Sequence, residues 1–285
     1  MSEIILLGVV VLLGVLFNVA LLTTVLFWYE TAWSNHRRHL EHLSGGHVGR
    51  MILRTALWSI FSMLAVVLLY PWGYWRKVKQ TELDPSCLLP PVILIHGLYH
   101  NASGWVLYRW WLRRAGFANV FAMNYSSWNT SFEEVLAKAA RFVEEVGRKF
   151  PGQPVMLVGH SLGGLVSRAL VQRYGSRIHA AAVVTLGTPH QGSKLAVFGV
   201  GKLARSLIYR GPLIQSLEEE PSDLNTRCLA LYSPLDNMVL PNEALRPRSS
   251  SWQQEESSPL SHVGMLFHRS TAARAIRHLL ESTSH

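Results

Sequence analysis

The amino-acid sequence predicts an α/β domain, a mostly parallel central sheet flanked by helices, preceded by two transmembrane helices. Two observations carry this. Short continuous runs of apolar residues, several of them β-branched, recur along residues 91–285 and alternate with stretches of helical periodicity, as expected for strands buried on both faces of a parallel sheet. Ahead of them lie two runs without a charged side chain, 4–29 and 55–75, each able to cross a hydrocarbon core of roughly 30 Å as a helix. A chain of 285 residues suits one large domain with a small appendage.

The apolar runs set the organisation. Residues 1–76 read as a membrane anchor with spans at about 4–29 and 52–75, residues 77–90 as a linker, and 91–285 as the α/β domain. Trp28 and Tyr29 end the first span, and Tyr70, Trp72, Tyr74 and Trp75 end the second, where aromatic rings suit the headgroup level. Pro71 and Gly73 break helices, so the second span is expected to stop near Tyr70. A signal peptide is disfavoured: Glu3 stands where a basic n-region belongs, and the apolar run is too long. The alternative, a buried helical hairpin in a soluble protein, fits poorly with such uninterrupted runs. Two spans place the connecting loop across the membrane from the domain. Arg37, Arg38, Arg50 and Arg54 around the loop outnumber Arg76, Lys77 and Lys79 beyond the second span, which favours a cytoplasmic loop and a non-cytoplasmic domain.

Within the domain, 92–95, 119–123, 154–158, 180–186 and 229–232 read as strands. The stretches 105–115, 132–150, 162–174 and 271–280 read as helices, the second with Ser131 as N-cap and Glu133 and Glu134 in its first turn. Residues 190–225 are less regular, and the polar stretch 249–258 is expected to be a surface loop. The net charge of +9 suits anionic lipid. The basic residues are scattered and form no recognition motif, so no nucleic acid is expected as a partner. Cys87 and Cys228 are too few for a disulfide framework, no metal-ligand spacing is present, and no cofactor is expected.

The chemistry concentrates in 155–164, Val-Met-Leu-Val-Gly-His-Ser-Leu-Gly-Gly: an apolar strand, Gly-x-Ser-x-Gly, then a helix. A serine hydroxyl is a weak nucleophile that needs an adjacent base and an exposed, sharply turned position. The strand–turn–helix gives Ser161 that position, with Gly159 and Gly163 allowing close packing. The helix N-terminus points at the site, so the amide of Leu162 can bind a developing oxyanion. His160 neighbours Ser161 in sequence, but neighbours in such a turn point apart, so a structural role is expected.

Gly-His-Ser-Leu-Gly-Gly resembles the elbow of α/β-hydrolase lipases. Ile95-His96-Gly97-Leu98 resembles the strand end that opens their oxyanion loop, and 186–193, Leu-Gly-Thr-Pro-His-Gln-Gly-Ser, resembles a segment of bacterial triacylglycerol lipases and of membrane-bound, lipase-like glycolipid-anchor deacylases. The resemblance covers about 91 to the C-terminus and leaves out both spans. It implies the α/β-hydrolase fold, an oxyanion hole formed by the amides of Leu98 and Leu162, and bracing roles for His96 and His190.

It also implies the order serine, acid, histidine. Asp236 follows the strand 229–232 in a turn; Asp223, the other aspartate after Ser161, precedes that strand. His262, in Ser-His-Val-Gly-Met-Leu, resembles the lipase histidine before the last helix; His268 is the second candidate, and His278 and His285 are expected at the surface. A disulfide is not expected, because in the standard strand order of this fold two strands separate those that follow Cys87 and Cys228, or roughly 14 Å. The apolar stretch 194–222 suits either an amphipathic lid or an ordinary packed cap. Trp105, Tyr108, Trp110 and Trp111 are expected in the core, with lining of an acyl pocket or contact with the membrane as the alternatives. The function implied is a membrane-anchored serine hydrolase cleaving carboxylic esters, lipids first, through Ser161, His262 and Asp236. The alternatives are a phospholipase or acyltransferase using the same residues, and a non-catalytic membrane scaffold.

Overall fold

A computed structural model describes residues 2–75, 83–220 and 226–283. The first part of the expected linker (77–82), the end of the expected lid, Asp223 and His285 therefore lie outside the described residues.

Six strands form one sheet: β1 (Val92–Ile95), β2 (Val120–Met123), β3 (Val155–His160), β4 (Ala180–Leu186), β5 (Arg227–Tyr232) and β6 (Trp252–Glu256). They lie in the order β2-β1-β3-β4-β5-β6, every pair parallel. Such a sheet needs cover on both faces. The N-terminal region supplies α1 (Ser2–Ala32), α2 (Asn35–Leu43), α3 (Val48–Leu69) and α4 (Trp72–Trp75); the domain adds α5 (Val106–Arg114), α6 (Phe132–Lys149), α7 (Leu162–Tyr174), α8 (Lys202–Arg205), α9 (Pro212–Glu219) and α10 (Arg269–Glu281). One core lies under α6, α7 and α9, with Val135, Leu165, Val166 and Leu217 against Ile93 and Leu157. The other lies under α5 and α10, with Trp105, Tyr108 and Ala275 against Leu94, Val158 and Leu229. Trp105 and Tyr108 are core residues as expected, whereas Trp110 is exposed.

Ser131 caps α6: its hydroxyl accepts from Glu134 N–H while the Glu134 carboxylate accepts from Ser131 N–H, a reciprocal pair that satisfies two otherwise free amides. Three expectations need correction. The stretch 249–258 is not all loop, since β6 forms there on the sheet edge beside β5. Trp-Gln-Gln-Glu-Glu lacks strand propensity, but main-chain pairing with β5 and burial of Trp252 against the His190 ring decide its conformation. His278 is buried, not superficial, because it falls on the inner face of α10 and donates from Nε2 to the Arg227 carbonyl. The second apolar helix starts at Val48 rather than at about 52, while it stops at Leu69, close to the expected Tyr70; Tyr70 and Pro71 separate it from the short α4. Cys87 and Cys228 are free thiols.

Residues Leu6–Ala32 and Val48–Leu69 are each long and apolar enough to cross a membrane. They form a hairpin joined by α2. A stripe on α1 (Leu16, Ala20, Phe27, Thr31) and one on α3 (Thr55, Ser59, Ser62, Met63, Val66) are buried at helical spacing. The hairpin lies against the loops at the C-terminal ends of β4, β5 and β6: Val263, Met238 and Phe267 pack with Leu16, Ala20 and Val66, and Leu235 and Leu240 pack with Phe27, Leu40 and Val48.

Candidate active site

The C-terminal ends of β1, β3 and β5 bring the candidate residues to one end of the sheet. Ser161 follows β3 and precedes α7 with φ 54° and ψ −123°, a left-handed backbone unusual for a residue with a side chain. Such strain costs of order 1–3 kcal/mol and is held by its surroundings. Ser161 N–H donates to Leu186 O, Gly164 N–H donates to Ser161 O, and the Thr188 hydroxyl also donates to Ser161 O. The turn depends on missing side chains: a Cβ on Gly163 would overlap the Ile95 carbonyl, and one on Gly159 would overlap the backbone of Gly163.

Asp236 and His262 meet at 2.7 Å through Oδ2 and Nδ1, both side chains buried. An ionised carboxylate only accepts, so Nδ1 carries the hydrogen and Nε2 is left as the basic nitrogen. The other carboxylate oxygen, Oδ1, accepts from the amides of Met238 and Val239 at 2.9 and 3.0 Å. A buried anion satisfied in this way orients and supports a cationic imidazole. Gly187 permits the close approach: a Cβ there, at φ 55°, would lie 3.0 Å from Asp236 Oδ2 and 3.2 Å from His262 Nδ1. Ser161 shares this end of the sheet, and the ring of its neighbour His160 lies 4.8 Å from that of His262. Among the described residues no hydrogen bond joins the Ser161 hydroxyl to His262; such contacts commonly tighten only when substrate is bound.

Leu98 sits in the turn after β1, and Gly97 beside it approaches Ser161 so closely that a Cβ there would lie 3.0 Å from Ser161 Cβ. The amide of Tyr99 is engaged by Ser127 Oγ and that of His100 by Gly97 O. Leu162 opens α7, where first-turn amides lack intrahelical acceptors.

Three further buried histidines, His96, His160 and His190, brace the loops around the site. His96 stacks on Tyr125 at 4.0 Å, donates from Nδ1 to Gly97 O and accepts at Nε2 from Tyr125 N–H. Burial pushes its pKa down to about 4. His160 donates from Nε2 to the His262 carbonyl, and burial, followed by its histidine neighbours, holds it well below the usual imidazole range. His190 is buried against Thr185, and burial likewise lowers its pKa. His268, the second candidate base, bonds Ser270 instead.

The cap from 194 onward is packed. Leu203, Leu207, Ile214 and Leu217 are buried, while Val197, Phe198 and Val200 face outward. The Tyr99 hydroxyl donates to Val200 O and accepts from Val200 N–H, tying the cap to the loop that carries Leu98. Arg168 fastens the far side by donating to the carbonyls of His190 and Leu217.

One important residue carries no marking in the sequence. Asn237, buried next to Asp236, accepts from His262 N–H through Oδ1 and donates from Nδ2 to Thr23 Oγ1 of α1 at 2.7 Å. The apolar helix thus reaches the backbone of the candidate base through two side chains. The available signal was Thr23, one of three polar residues, with Asn18 and Thr24, in the apolar run 4–29.

Comparison with known proteins follows the same lines. The model of the alpha/beta hydrolase family matches residues 92–282. A triacylglycerol lipase of Pseudarthrobacter phenanthrenivorans is 34% identical over 120 residues, 38% of this chain and 35% of the relative. A GPI inositol-deacylase of Candida albicans is 25% identical over 118 residues, 41% of this chain and 25% of the relative. The chain thus spans about a third or less of the length of these curated relatives. The crystal structure of the mature Bacillus licheniformis lipase BlEst2 superposes with a TM-score of 0.59 at 20% identity, over 69% of this chain and 93% of that one, a likeness of fold.

Proposed function

The chain belongs to the alpha/beta hydrolase family, and on that premise we propose that it is a membrane-bound serine hydrolase cleaving carboxylic esters, lipids first among them. One observation carries the reading: a buried Asp236–His262 pair at 2.7 Å beside a serine held at positive φ between a strand and a helix. In this reading residues 91–285 are the catalytic domain and the apolar hairpin is its membrane attachment.

The mechanism follows from the groups present. His262 Nε2 takes the Ser161 proton as Oγ attacks the ester carbonyl, and Asp236 stabilises the imidazolium that forms. The amides of Leu98 and Leu162 receive the oxyanion. His262 then protonates the leaving alcohol, leaving an acyl group on Ser161. Water, deprotonated by the same histidine, releases the acid. The lipid preference is supported by the apolar hairpin beside the site, by the outward Val197, Phe198 and Val200, and by similarity to a relative named as a triacylglycerol lipase.

The test is active-site labelling of detergent-solubilised protein with a fluorophosphonate probe. Wild type is expected to label and Ser161→Ala to lose labelling. A wild type that stays unlabelled, or undiminished labelling of the variant, ends the hydrolase reading. A panel of triacylglycerol, phospholipid and short acyl esters then ranks substrates, and an added alcohol acceptor separates hydrolysis from acyl transfer.

A further inference from the structure

The apolar hairpin touches the α/β domain along α3 and along α1 from Leu12 onward. At the turn between the helices, His36 Nε2 donates to the Pro234 carbonyl at 2.7 Å, His39 Nε2 meets the Glu256 carboxylate at 2.8 Å, and Glu30 pairs with Lys194 at 2.6 Å. At the other end of α3, the Asn101 side chain donates to the Tyr70 carbonyl at 2.9 Å. Between these ends, Trp58 lies so close to Gly264 that a Cβ there would sit 2.8 Å from the indole. With 22 residues, α3 is about 33 Å long. A hydrocarbon core of about 30 Å cannot separate the turn from the domain when the domain holds both ends of this helix.

The opposite side of the hairpin has no cover among the described residues. Val10, Phe17, Leu21 and Val25 on α1 and Leu57 and Phe61 on α3 are exposed. Arg50 and Arg54 stand exposed on the same outer face of α3. Arg54 is about 9 Å inside the helix, a costly depth for a charge in a spanning helix and a suitable one for a helix whose arginines reach headgroup phosphates. Apolar residues flanked by arginine are the composition of a helix lying at a lipid surface.

From these contacts we propose that the hairpin inserts into one leaflet without crossing it. The segment 33–47 then lies on the same side of the bilayer as the catalytic domain, and the outer faces of α1 and α3 are the lipid-binding surface. The loops bearing Asp236 and His262 rest on the inner face of this plate, so the site takes its ester from the leaflet the hairpin occupies. This rests on the membrane-bound reading above and specifies its topology.

The test is the sidedness of two cysteines in the full-length protein. Cys87→Ser removes the more accessible native thiol and Cys228 is buried, so His42→Cys on α2 and Glu145→Cys on α6, both at exposed positions, are introduced singly. Sealed membrane vesicles of each orientation are treated with a membrane-impermeant maleimide, with detergent-opened vesicles as reference. Both cysteines are expected to label in the same preparation, at least tenfold over the other. Labelling in opposite preparations overturns the proposal and leaves membrane attachment standing. Recovery of the protein in the soluble fraction after an alkaline carbonate wash overturns both. As a second measurement, His39→Cys with Glu256→Cys is expected to be bridged by a short bis-maleimide in intact vesicles; absence of the bridge in protein that bridges once solubilised counts against the proposal.

Discussion

At Ser161 a single dihedral angle links sequence to chemistry. A φ of 54° on a residue with a side chain survives because Leu186, Gly164 and Thr188 bond the serine backbone and because two glycines admit the helix to the sheet. The same end of the sheet collects imidazoles that the fold keeps uncharged. His96 and His160 are buried with lowered pKa values, His96 at about 4 against an ordinary 6.5. Their effect on stability has a definite sign. Above about pH 6.5 the imidazoles are neutral in both states. As pH falls from 6.5 toward 4, the unfolded chain binds protons that the folded chain refuses, so stability declines by up to about 1.4 kcal/mol per pH unit for each group. Denaturant unfolding in detergent is therefore expected to show a falling midpoint between pH 6.5 and 5, with a shallower dependence in a His96→Gln variant. A midpoint independent of pH over that range would show that these rings are solvated.

Between elements, the contact of most consequence runs from α1 to the loop after β5. Thr23 accepts from Asn237, and Asn237 accepts from the amide of His262. Valine has nearly the shape of threonine but no acceptor, so Thr23→Val leaves a buried amide unpaired at a cost of about 1–3 kcal/mol. Displacement of His262 from Ser161 follows. Turnover of an ester substrate is expected to fall about tenfold with KM unchanged, and Thr23→Ser is expected to retain activity. A fall in protein yield with normal turnover per labelled site would instead assign the contact to stability alone. The cap is held in the same manner, by Tyr99 on one side and Arg168 on the other, which favours the packed cap over the separate lid that its apolar composition also suited.

For the molecule as a whole, the hairpin packs as part of the α/β domain. Its buried stripe covers Val263, Leu235 and Leu240, which flank the proposed base and acid. A tether would be dispensable once the protein is in detergent; a structural plate would not. A chain beginning at residue 83 is expected to lose at least nine-tenths of its fluorophosphonate labelling in detergent relative to full length, with a lower thermal midpoint. Full labelling of the shortened chain would make the hairpin a tether.

Much of this was legible in order along the chain. Residues buried on both faces of a parallel sheet must be apolar throughout, so β1, β3 and β4 stand out by composition, and the glycines around Ser161 mark a turn that no larger residue fits. The candidates Ser161, Asp236 and His262 were readable because each follows a strand or precedes a helix at a resembling motif. What could not be read depends on contacts between residues distant in sequence. β6 is polar and is a strand only because β5 offers it a free edge. Asn237 matters because Thr23, 214 residues away, lies opposite it. The sequence alone determined that two helices are too apolar to be left in water; where they lie was decided by tertiary structure. Hydropathy records how much surface must leave water, whereas burial of one helical face against the domain, with polar contacts at both ends, determines which side stays exposed.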